Sequence, residues 1–128
     1  MIFVDTSVWV EALRRRESRE ALRLDALLEA DEVALAAPVR FEILAGASVD
    51  ERRRLRRVLS ALPTFFPSGQ TWTLLDTWLD VAGAQGERFG FADALIGALA
   101  AQQAAPIWSL DGDFRRMARL KFVEIYQA

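Results

Sequence analysis

The chain has 128 residues, 52% of them apolar, and a formal net charge of −2, which suits one ordinary packed domain, residues 1–128, with no second core. It contains no Cys and no His, so disulfides, thiolate or imidazole zinc sites, Ser-His-Asp triads and His-based acid–base chemistry are all excluded. Any catalysis must rest on carboxylates, hydroxyls, Arg, the single Lys121 or a bound metal.

Taken in order, Ile2-Phe3-Val4 reads as a buried strand running into Asp5, with a short helix from Ser7 to about Leu13. The run Arg14-Arg15-Arg16 ends it. A second helix spans Ser18 to Ala30, with Leu24, Leu27 and Leu28 on one face. Glu32 to Ala37 is a short strand, and Pro38 suits the start of a helix that stops at Gly46. Ser48-Val49-Asp50-Glu51 matches a capping box, opening a helix that buries Leu55, Val58, Leu59 and Leu62 and turns Arg52 to Arg57 outward.

Thr64-Phe65-Phe66, held between Pro63 and Pro67, is a third strand. Gln70 to Gln85 is a long amphipathic helix, and Ala92 to Gln103 is a small-residue helix suited to close packing. Ile107 to Leu110 is a fourth strand, followed by Asp111 and a helix to Leu120. Phe122 to Tyr126 is a fifth. Strands alternate with helices throughout, which predicts an α/β fold: a mainly parallel sheet of about five short strands flanked by helices. No apolar stretch is long enough for a membrane helix, and no basic leader precedes the apolar start, so a cytoplasmic protein is the default expectation.

Four acids stand out. Asp5 and Asp111 each follow a strand and precede a helix, where an Asp is by itself an ordinary N-cap. Two strands that deliver Asp residues to one edge of a parallel sheet bring them within about 5 Å, and such a pair needs a proton or a cation between them. That edge is where open α/β sheets bind ligands. Asp93 opens a helix after Gly90-Phe91. Glu42 lies among apolar residues in Val39-Arg40-Phe41-Glu42-Ile43-Leu44-Ala45-Gly46, and two readings stand equal: partial burial, from its spacing to Val39 and Gly46, or an ordinary Glu on a solvent stripe. Asp113 is one more acid with two readings open, joining the cluster or, two residues into its helix, facing away; it is taken as a supporting or structural residue. The Trp residues at 9, 72, 78 and 108 read mostly as core or dimer interface, with base stacking by one of them a minor alternative; Arg14 to Arg16 and Arg52 to Arg57 could hold phosphates, the second run reading slightly better as a solvated helix face.

These stretches resemble the PIN-domain ribonucleases, most closely their VapC-type toxins, and the resemblance runs end to end. Ile2-Phe3-Val4-Asp5-Thr6-Ser7-Val8 is similar to the family's first motif and Arg40-Phe41-Glu42-Ile43-Leu44-Ala45-Gly46 to its second. Phe91-Ala92-Asp93-Ala94-Leu95-Ile96-Gly97-Ala98 and Ser109-Leu110-Asp111-Gly112-Asp113-Phe114 are similar to the third and fourth. The resemblance implies that Asp5, Glu42, Asp93 and Asp111 form an acidic pocket for Mg²⁺ or Mn²⁺, with Asp5 and Asp93 as direct ligands and Thr6 and Ser109 orienting them. It implies cleavage of RNA by an activated water, leaving a 5′-phosphate and a 3′-hydroxyl. It further implies a homodimer and a cognate antitoxin whose tail covers the pocket. Three other readings compete. A phosphotransfer receiver needs a lysine near the acids, and only Lys121 is available. A haloacid dehalogenase-type phosphatase needs an Asp pair, but Asp111-Gly112-Asp113 comes too late in the chain. A catalytically idle interaction module would keep the fold.

Overall fold

In the computed structural model, which describes all 128 residues, the strands β1 (Ile2–Val4), β2 (Val33–Ala36), β3 (Thr64–Phe65) and β4 (Ile107–Trp108) form one parallel sheet in the order β3-β2-β1-β4. β1 sits centrally, with Phe3 opposite both Ala34 and Ile107. Every residue of β1 and β2 is buried, as expected for parallel strands covered on both faces.

The covering helices are α1 (Thr6–Arg14), α2 (Arg19–Glu29), α3 (Ala37–Ala45), α4 (Val49–Leu59), α5 (Gly69–Ala84), α6 (Phe91–Gln102) and α7 (Asp113–Arg119). None is long and apolar enough to cross a membrane. Pro38 sits in the first turn of α3, where its missing N–H leaves no bond unmade. Ser48 caps α4 by accepting from the Glu51 N–H, but the Glu51 carboxylate bonds the Ser48 hydroxyl instead of its backbone, so the expected box is only half built. A complete box occurs at α5, between Ser68 and Thr71.

The expected fifth strand does not form. Phe122 and Val123 are buried by packing, but Lys121 adopts φ 64° and the segment reaches the sheet only through a parallel bridge between Ile107 and Ile125. Its partner is too short to extend the pairing. β4 ends at Trp108 because Ser109 and the two amides after it are committed to hydrogen bonds at the sheet edge. The sheet therefore has four strands. Val58 is 46% exposed and Trp72 47% exposed, so neither joins the core that Trp9, Trp78 and Trp108 do enter.

Candidate active site

β1 delivers Asp5 to the carboxyl edge of the sheet, where its side chain caps α1. The Asp5 side chain is only 5% exposed. Its Oδ2 accepts from the Ser7 N–H at 3.4 Å, the Ser7 hydroxyl at 2.8 Å and the Ser109 hydroxyl at 2.7 Å. Cap and site residue are thus the same carboxylate. Ser7 Oγ in turn accepts from the Leu110 N–H at 3.0 Å, and Ser109 Oγ from the Asp111 N–H at 2.9 Å. Each serine has one hydroxyl proton and gives it to Asp5. The 3.2 Å approach of the two hydroxyls is then a close contact without a proton to share. This network joins the ends of β1 and β4 and leaves Asp5 Oδ1 without a protein donor.

α6 and α7 bring in the remaining Asp residues. Asp93, in the first turn of α6, is half-buried. One carboxylate oxygen each from Asp93, Asp111 and Asp113 lies within 4.8 Å of the others. Burial, then a hydrogen bond with Asp113, then the charges of Asp111, Asp5 and Asp113 push Asp93 up to about 7. Asp113 therefore faces the cluster, which decides between the two placements the sequence left open. Gly112 is the cap of α7, and the Asp113 N–H donates to Asp111 Oδ1 at 3.0 Å, which turns the Asp113 carboxylate inward. A hydrogen bond from Arg116, and then one with Asp93, hold Asp113 below the usual carboxylate range. Arg116 lies 2.8 Å from Asp113 and 2.7 Å from Glu87, over the ring of Phe89.

Glu42 is exposed rather than partly buried, and its Oε1 accepts from Thr6 Oγ1 at 2.7 Å. Thr6 thus orients Glu42 and not Asp5. Of the two readings open to Glu42 the solvent stripe holds, and Phe41 beside it is itself 73% exposed. Glu42 stands on the rim beside Asp5, outside the tight group of three. Sequence reasoning missed Ser7 and Arg116. Ser7 follows Asp5 at the spacing of an N-cap bond, and Arg116 follows Asp113 at i,i+3; both were available signals.

The donor set fits a hard divalent cation. It offers carboxylate oxygens and hydroxyls with no nitrogen or sulfur ligand, the set that suits Mg²⁺ and Mn²⁺. The raised Asp93 registers first its burial and then the hydrogen bond and charges of the acids gathered round it. Lys121 lies elsewhere, lining a hollow with Ala104 and Ala105, which precede β4. That is the amino end of the strand, so no lysine serves the acids as a receiver domain requires. Of the basic runs, Arg16 is tied to Asp25 and Arg52 to the Leu44 carbonyl, while Arg53, Arg54, Arg56 and Arg57 are exposed.

A family model described as PIN domain matches residues 2–120. Ribonuclease VapC11 of Mycobacterium tuberculosis is 35% identical, over 94% of this chain and 93% of the relative. Among solved structures, VapBC-1 from nontypeable Haemophilus influenzae is similar with a TM-score of 0.77 at 17% identity, covering 99% of this chain and 98% of that one. VapBC2 from Rickettsia felis, bound to a promoter DNA fragment, gives 0.76 at 17% identity and covers 98% of each chain. This chain belongs to the PIN domain family.

Proposed function

We propose that the chain is a divalent-metal-dependent endoribonuclease and the toxin of a toxin–antitoxin pair. The observation that carries this reading is the carboxylate cluster, with Asp93 raised to about 7 by burial and its neighbours. The ribonuclease names of relatives at this level of identity support it. The VapBC complexes among the fold's neighbours support an antitoxin partner. The reading takes residues 1–128 as one nuclease domain that works as a homodimer in the cytoplasm.

Asp93, Asp111 and Asp113, with Asp5 Oδ1, would hold Mg²⁺ or Mn²⁺, and Glu42 would receive a water or second cation at the rim. When bound, the ion offsets the phosphodiester charge and acidifies a water. Ser7 and Ser109 hold Asp5 in one rotamer, since both give their protons to Oδ2. Thr6 does the same for Glu42. Arg116 keeps Asp113 charged at neutral pH and fixes its direction. An inactive PIN-fold interaction module would have no use for this arrangement, in which hydroxyls and an arginine each orient a separate carboxylate.

Two outcomes check the reading. Purified protein incubated with bacterial total RNA in Mg²⁺ is expected to yield new ends carrying 5′-phosphate, and EDTA should abolish them. Cleavage that persists in EDTA, or ends with 2′,3′-cyclic phosphate, would reject it. Ser109→Ala removes one of the two hydroxyls on Asp5 and the acceptor of the Asp111 N–H. Loss of an orienting partner typically lowers activity about 10- to 100-fold. The stability cost should stay near 1–2 kcal/mol for one part-buried hydrogen-bonding group. Urea melts and cleavage rates read the two effects separately, and an unimpaired rate would remove Ser109 from the site.

A further inference from the structure

A site built of carboxylates repels a nucleic acid strand, and a chain of net charge −2 offers no general attraction to offset it. The attraction has to be local. Beside β4 the sheet edge opens into a cavity of about 840 Å³, walled by Ser109 and Asp111 of the acidic centre and by Arg19, Arg115 and Arg119. All three arginines are exposed. They make no hydrogen bond or ion pair within the protein, unlike Arg16, Arg23 and Arg116, which are tied to Asp25, Tyr126 and Glu87. Arg115 and Arg119 stand one turn apart on α7, on the same face, about 5–6 Å between β-carbons. That spacing lets each meet a different phosphate of an extended strand. Outside the centre, the only acidic side chain lining the cavity is Glu20, so positive charge prevails there.

A second basic hollow, of about 670 Å³, is lined by Arg40, Arg52 and Arg56 with Phe41 and Phe66. It contains none of the carboxylates of the centre, and its Arg52 is already bonded to the Leu44 carbonyl. The cavity beside β4 is continuous with the chemistry and the other is not.

We infer that Arg19, Arg115 and Arg119 form a phosphate-binding track that leads a single RNA strand past Asp111 into the acidic centre. The inference rests on the ribonuclease reading above and adds the path of the substrate. The track grips backbone and reads no bases, because guanidinium–phosphate contacts position a strand without specifying its sequence. It takes one strand, because Arg115 and Arg119 stand in file on one face of α7 and meet neighbouring phosphates of one backbone.

The test uses the full chain in Mg²⁺ with bacterial total RNA as the probe, followed over a range of salt concentrations. The triple variant Arg19→Gln/Arg115→Gln/Arg119→Gln is expected to raise KM on the order of tenfold at low salt, with kcat within about twofold, as for lost uniform binding. It should flatten the dependence of log(kcat/KM) on log salt by about 2, from about 0.7 per lost single-strand phosphate contact. The loss should be equal at every cleavage site. The variant Arg53→Gln/Arg54→Gln/Arg57→Gln removes the same charge from the solvated face of α4 and should change neither quantity. An unchanged KM in the first variant, or equal effects in both, overturns the inference while the nuclease reading stands. A first variant that loses antitoxin binding but keeps its KM for RNA also overturns it, by assigning the cavity to protein. A wild-type chain that cuts no RNA rejects the nuclease reading itself.

Discussion

Asp93→Asn is expected to eliminate Mg²⁺-dependent RNA cleavage and, in the metal-free protein, to raise the melting temperature above pH 7. Both effects come from one cause. Losing a residue that merely supports a metal ligand costs about 10- to 100-fold, so losing the carboxylate at the middle of the cluster should exceed a hundredfold. The stability gain follows from linkage. Asp93 titrates near 7 in the folded chain against 3.8 unfolded, so between these values the folded state holds a proton that the unfolded state has released. Stability of the metal-free protein therefore falls as pH rises from about 4 through about 7, then levels. An Asn in its place carries no charge, and that slope should vanish. Asp113 acts in the opposite sense and in a separate window. Its folded pKa is depressed below 3.8, so its contribution is present at neutral pH and is lost only in stronger acid. Thermal melts of both proteins in EDTA, taken across this range, read the slope. Wild-type and variant curves that stay parallel would contradict the raised Asp93 and, with it, the burial and neighbouring acids that raise it.

Gly97→Leu is expected to lower stability by about 1–3 kcal/mol, the usual cost of forcing extra atoms into a packed contact, and to impair cleavage as well. A β-carbon at this position would stand 3.0 Å from the Met117 sulfur and 3.4 Å from both Trp78 and Val123. Gly97 is one turn after Asp93 on α6, and Met117 is one turn after Asp113 on α7. The two helices therefore touch at Gly97 and Met117 directly behind the pair of carboxylates they present. A Leu there wedges the helices apart and pulls Asp93 from Asp113. Gly97→Ala separates fold from site. Alanine gains about 1 kcal/mol of helix propensity over glycine, which offsets the tight approach to a flexible Met side chain. Its stability should stay within about 1 kcal/mol of wild type. Urea unfolding together with cleavage rates decides the matter, and a fully stable, fully active Gly97→Leu would show that the helices do not meet there.

What the sequence discloses about this molecule depends on how local each feature is. The strand Ile2-Phe3-Val4, its terminal Asp5 and the small-residue face of α6 rest on neighbours a few residues apart, and each could be read directly. Ser7 could not be placed so easily, because its hydroxyl is held by the Leu110 amide 103 residues away. Asp113 turned inward because the cap of α7 is Gly112 and not Asp111, a shift of one residue that moves a side chain about 100° round the axis. Glu42 could not be decided from its apolar neighbours, and α3 leaves Phe41 and Glu42 both outside. The fifth strand has suitable residues for a strand but no partner of sufficient length, since Ser109 ends β4 to serve the site. Chemistry at the sheet edge thus shortened the very element whose alternation suggested a longer one.

The most direct test of the account is the position of Mn²⁺ in crystals of the chain soaked with that ion, located by anomalous scattering. The account predicts a peak contacting Asp93 and Asp111, with Asp113 and Asp5 Oδ1 in reach, that disappears in Asp93→Asn. Well-ordered crystals whose only Mn²⁺ peaks lie away from these carboxylates would contradict it.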